Sequence, residues 1–131
     1  MPVEIGDDMA DDIIESIFLS VKKALNITPE DDAFDVDILI HLNSVLSKLN
    51  QLGVGPEVPL QINDDSTTWD ELYSDPKYSF IRSYIYLSVR LLFDPPSTTT
   101  MYEAFQRKIE ELEWRLYVLG DEENADECHR Y

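Results

Sequence analysis

The chain has 131 residues, 44% of them hydrophobic, and sets 27 acidic side chains against 10 basic ones, a formal charge of −17 at neutral pH. That length fits one domain with its own core, since single cores typically occupy ~100 to 150 residues. The single cysteine, Cys128, excludes an intrachain disulfide and suits a reducing setting, while the charge disfavours direct contact with nucleic acid phosphates or anionic membrane surfaces.

The acidity is uneven. Residues 1–75 hold 17 acidic and 3 basic groups, and residues 76–131 hold 10 and 7. Such a field serves solubility, meets a basic partner surface, or imitates DNA toward a DNA-binding protein. The opening "MPVEIGDDMADD" lacks a basic start followed by an apolar run, and no stretch reaches 18 consecutive apolar residues. Neither a secretory signal nor a membrane span is expected.

In chain order, "DDIIESIFLSVKKALNI" places Ile13, Ile14, Ile17, Phe18, Val21, Ala24 and Leu25 at helical spacing. Acids near its start and Lys22 and Lys23 near its end complement the helix dipole. "TPEDD" reads as a turn. "VDILIHLNSVLSKLNQLG" then aligns Ile38, Leu42, Val45, Leu49 and Leu52 on one stripe and stops at Gly53, a natural residue just past a helix end.

From Gly53 to Thr67 the period changes. Val58, Leu60 and Ile62 alternate, but Pro59 cannot donate to a sheet ladder, so this is an edge strand, a hairpin or an extended loop. A strand here would lie on the helices or pair with another chain. Thr68 and Glu71 hold capping-box positions for a short helical turn.

The third long helix, "YSFIRSYIYLSVRLLF", is apolar on almost every side and is therefore expected at the centre. Arg82, Tyr86 and Arg90 form an i, i+4, i+8 row that either pairs within the fold or faces another subunit. "DPP" ends this helix. The fourth runs from about Thr100 to Leu119, with Met101, Phe105, Ile109, Leu112, Leu116 and Leu119 on its core stripe and Gly120 as its stop.

The expected fold is all-α: a small bundle of four main helices with a long extended loop, carrying a short strand or hairpin, between helices 2 and 3. Residues 1–10 are expected as a flexible acidic N-terminus, 11–119 as the single helical domain and 120–131 as a flexible polar tail.

Chemistry-bearing constellations are sparse. His41 and His129 have no companions at ligand spacing, and Cys128 beside His129 lacks the further ligands of a zinc site. "EDDAFDVD" concentrates carboxylates without the turn glycine or distal bidentate glutamate of a calcium loop. There is no glycine-rich phosphate loop and no G-x-S-x-G. No enzyme, no cofactor and no metal site are expected. Aromatic residues and arginine, the types that dominate protein interfaces, gather in the C-terminal half. Trp114 stands apart from the core stripe of its helix, in a neighbourhood of Arg107, Glu110, Glu111 and Val118 where solvent would be expected. Either a local loop covers it or another molecule does.

The run "FDVDILIHLNSVLSKLNQLGVGPE", then "YSFIRSYIYLSVRLLFDPP", then "LEWRL" resembles the head-tail connector proteins of long-tailed bacteriophages infecting Gram-positive bacteria, also called head-completion or adaptor proteins. The resemblance spans roughly residues 11–119. Its signatures are Leu52-Gly53-Val54-Gly55, Asp94-Pro95-Pro96 and Leu112-Glu113-Trp114-Arg115-Leu116. It implies a non-enzymatic, cofactor-free virion protein of the neck, assembled in the host cytoplasm, that forms a ring under the portal after DNA packaging and seats the tail or a stopper. DNA passes through such a ring without sequence-specific binding. Candidate subunit or portal contacts are Trp114, Val118, Arg107, Arg115, Arg82 and Arg90, with Val58, Leu60 and Ile62 on the extended segment. The alternative is an acidic DNA mimic or inhibitor that binds a basic host protein.

Overall fold

The computed structural model describes residues 15–128, which form four α-helices and no β-strand. They are α1 (Ile17–Ala24), α2 (Asp35–Gln51), α3 (Ile81–Phe93) and α4 (Thr99–Cys128), with short 3-10 turns at Trp69–Glu71 and Pro76–Tyr78. The all-α bundle expected from the sequence is the fold observed. Residues 1–10, Ile13, Ile14 and His129 lie outside the described part.

Helix α3 is the centre, packing against α2, α4 and α1. Its nearly all-round apolar surface requires this: Ile81, Ile85 and Val89 have no solvent exposure. Ile38, Leu42 and Leu49 of α2, Ile17 and Val21 of α1, and Leu112 and Leu116 of α4 close the core around them.

Sequence punctuation sets most helix ends. Ser16 caps α1 by accepting a hydrogen bond from the Leu19 N–H (3.3 Å). Both α1 and α2 end in paired backbone bonds around a left-handed residue. Asn26 (φ 63°) follows α1, with Ile27 N–H donating to Lys22 O (2.8 Å) and Asn26 N–H to Lys23 O (3.0 Å). Gly53 (φ 85°) follows α2, with Val54 N–H donating to Leu49 O and Gly53 N–H to Asn50 O, each at 3.0 Å. The predicted glycine stop of the second helix is thus observed, and Val54 drops into the core behind it.

The segment after Gly53 is an extended loop rather than a strand or hairpin. Two amide side chains of α2 hold it. Asn43 accepts from Ile62 N–H (2.7 Å) and donates to Ile62 O (3.0 Å), while Asn50 donates to Pro56 O and Glu57 O (3.0 and 3.1 Å). Asn43 thus satisfies both backbone groups of Ile62, and the Ile62 side chain is fully buried. The only bridge among the described residues is isolated, joining Ser16 to Thr68.

The corner between α1 and α2 is organised by a buried lysine. Lys22 is 1% exposed; its ammonium donates to Pro29 O (3.1 Å) and Asp31 O (2.7 Å) and pairs with the Asp35 carboxylate at 2.8 Å. Burial of a charge is tolerable when it is paired and hydrogen-bonded throughout, as here.

Helix α4 starts within a residue of its sequence reading and departs from it at the other end. It starts at Thr99, with Thr98 Oγ1 accepting from Met101 N–H (3.3 Å), and it does not stop at Gly120 but continues to Cys128. A glycine inside a helix costs only about 1 kcal/mol, and a Cβ at Gly120 would make ordinary contact with the Leu52 carbonyl, 3.5 Å away, so the position has room for a side chain and no steric need for glycine. No proline follows in residues 121–128 to break the helix. The core stripe is also shorter than its periodicity suggests: Leu112 and Leu116 are buried, whereas Met101 is 49% exposed.

Candidate functional site

The "LEWRL" run on α4 separates into three jobs. Leu112 and Leu116, four apart, face α3 and are buried. Glu113 turns toward the crevice between α2, α3 and α4, where one carboxylate oxygen receives the Tyr84 hydroxyl and the Lys48 ammonium, each at 2.8 Å. A single glutamate therefore ties all three long helices together. Sequence periodicity had no means of finding this role, because the partners lie 29 and 65 residues away.

Burial first, then the hydrogen bond to the Glu113 carboxylate, pushes the Tyr84 phenol well above its ordinary pKa. A group whose pKa is raised on folding adds stability that is present below its unfolded pKa and lost as pH rises. Fold stability is accordingly expected to decline above about pH 10, the ordinary tyrosine pKa. Denaturation midpoints of the Tyr84→Phe variant should decline less steeply there, with a loss of about 1 kcal/mol at neutral pH for the missing hydrogen bond. Burial also raises Tyr86, which leaves a residual alkaline slope.

The remaining two residues of the run face outward. Trp114 is 63% exposed, and its ring stacks on that of Tyr117 (centroids 5.8 Å apart, planes at 28°). The Arg115 guanidinium lies 4.2 Å from the centre of the Phe80 ring. Together with Lys77, Val118 and Leu119 they line an open groove of about 310 Å3. The Gly53–Thr67 loop does not cover Trp114.

The structure brings Trp114, Arg115 and Val118 into this one surface. Arg107, seven residues before Trp114, is exposed two helical turns along the same face. The other candidates lie elsewhere. Arg82 is directed into the fold: its guanidinium sits 4.7 Å over the buried Trp69 ring and its Nε donates to Tyr73 (2.8 Å). Arg90 donates from Nε to Asp94 O (3.2 Å) at the end of α3 and lies 5.6 Å over Phe105. Of the extended segment, Val58 is 76% exposed, Leu60 is half-buried and Ile62 is in the core.

Among the described residues no group of three or more His, Cys, Asp or Glu side chains is placed to hold a metal ion, and no helix is long and apolar enough to cross a membrane. The prominent feature is an exposed strip on α4 that carries Trp114, Tyr117 and Arg115, residue types enriched in protein interfaces. Residues 17–123 match the model of the phage connector protein family, and the chain belongs to that family. No curated protein and no solved structure gives a significant match. The family is one of structural assembly proteins that meet portal and tail proteins, which makes this chain a virion component with an assembly role.

Proposed function

We propose that this chain is a head-tail connector subunit that assembles as a ring under the portal once DNA is packaged and provides the seat for the tail or stopper. The observation that carries this reading beyond the family is the Trp114 face. Burying a tryptophan of this exposure is worth roughly 2 to 3 kcal/mol to an interface, and Arg115, Arg107 and Val118 frame it with the residue types that anchor such contacts. Val58 and Leu60, on the loop held out by Asn50, offer a second contact region. The acidic surface repels the DNA that would pass through the ring.

Electron microscopy of the full chain mixed with its portal tests the proposal. Added ring density beneath the portal is the expected result, and a bare portal at saturating protein would overturn it. A DNA mimic would instead bind a basic host protein through its carboxylates, with affinity falling steeply as salt rises.

A further inference from the structure

Two exposed surfaces of different character lie toward the two ends of α3. At one end is the groove of Trp114, Arg115, Val118 and Phe80, with Lys77, paired to Asp75 at 3.8 Å, beside it; Arg107 stands two turns back along α4, toward the other end of α3, with exposed Glu110 and Glu111 between. At the other, the corner leading into α2 exposes the carboxylates of Glu30, Asp31, Asp32 and Asp37 around three apolar side chains: Phe34 (45% exposed), Val36 (70%) and Ile40 (60%). This corner is stiff. Lys22 ties it from within, and the Phe34 ring meets Phe93, the last residue of α3, edge to face at 5.4 Å.

Resting on the connector reading, we propose that the Trp114 groove of one copy receives the acidic, apolar α2 corner of the next copy. Charge argues for this partner. Copies carrying −17 each repel, so a stable contact between them must set opposite signs face to face. The groove sets the exposed Arg115, with Lys77 beside it, against apolar surface, and the α2 corner supplies both the anions and the apolar side chains to fill it. Geometry agrees. Phe80, under Arg115, precedes α3, and Phe93, against Phe34, ends it; the 13 residues of that helix hold the two patches about 20 Å apart. They cannot meet within one copy. Joined between copies they make a head-to-tail contact, the kind that closes into a ring when the rotation permits.

Disulfide trapping tests the pairing. In the full chain with Cys128→Ser, Val36→Cys and Val118→Cys are introduced together, and the protein is oxidised both alone and with its portal. Bridging needs Cα atoms within about 7 Å, so an intramolecular link is excluded and the expected product is a ladder of linked multimers that reductant collapses. Each single variant should give no ladder. Adding Asp32→Lys and Asp37→Lys to the paired variant should slow ladder formation by about tenfold, and Arg115→Glu with Lys77→Glu in that same chain should restore it.

Absence of a ladder under both conditions overturns the pairing, as does an equal rate after charge reversal. Ring density on the portal with no ladder would leave the connector reading standing and remove this interface; a ladder with a bare portal would do the reverse.

Discussion

Trp69→Ala is expected to lower the stability of the domain by about 3–5 kcal/mol, the range found when a large buried aromatic is truncated. Trp69 is 1% exposed, and its indole N–H donates to Ser20 Oγ (3.1 Å), which in turn donates to Ser16 O (2.7 Å) at the cap of α1. Its ring also carries the Arg82 guanidinium on one side and meets Tyr86 edge-on at 6.1 Å. Truncation therefore opens a cavity and leaves the half-buried Arg82 guanidinium without its platform. Trp69→Phe, which keeps most of the ring but loses the donor, should cost less, about 1–2 kcal/mol. Urea denaturation followed by circular dichroism reads both; a stability within 0.5 kcal/mol of wild type for Trp69→Ala, roughly the noise of a surface change, would show that the 3-10 turn is peripheral.

The other tryptophan should behave in the opposite way. Trp114→Ala is expected to leave the urea midpoint of the isolated chain almost unchanged, because the side chain touches little beyond Tyr117. Assembly on the portal should weaken by about 2 kcal/mol or more, roughly 30-fold, as for an aromatic anchor removed from an interface. The comparison is made by titrating portal with each variant and counting occupied particles. Undiminished occupancy would remove Trp114 from the interface, and collapse of the fold would place it in the core.

These two indoles show what the sequence could and could not disclose. Helical periodicity separates Trp114 from the Leu112–Leu116 stripe, so its place off the core is readable in the sequence, whereas the absence of a covering loop is not. Trp69 sits in a three-residue turn with no period to read, and its burial depends on Ser20 and Arg82, 49 residues before it and 13 after it. Backbone punctuation was equally legible: Gly53 and Asp94-Pro95-Pro96 stop their helices because glycine tolerates a positive φ and proline cannot donate. Gly120 misled for a related reason. A glycine is a stop when it takes the left-handed conformation, as Gly53 does; Gly120 keeps a negative φ and sits inside the helix. The loop holding Ile62 turned on Asn43, whose amide imitates a strand partner, a role that composition does not mark.

The interface candidates divide along the same line. Residues on the outer face of α4 were found by the angle they make with the core stripe, a local property. The same local rule leaves the Arg82 row open between pairing inside the fold and facing another subunit, and only the distant Trp69 indole decides that Arg82 turns inward. Glu113 was passed over because a glutamate on a half-polar helix is indistinguishable, in one dimension, from a solvated one.

Lys22 turns the α1–α2 corner into something that can be watched chemically. Its amine is 1% exposed and engaged by two carbonyls and a carboxylate, while Lys48, Lys77 and Lys108 are 57%, 44% and 50% exposed. An acylating reagent applied to the native protein therefore labels the open amines at once and reaches Lys22 only when this corner unlatches. The lag of that one site, read by mass spectrometry, is a clock for local opening near the surface that a second copy would grip.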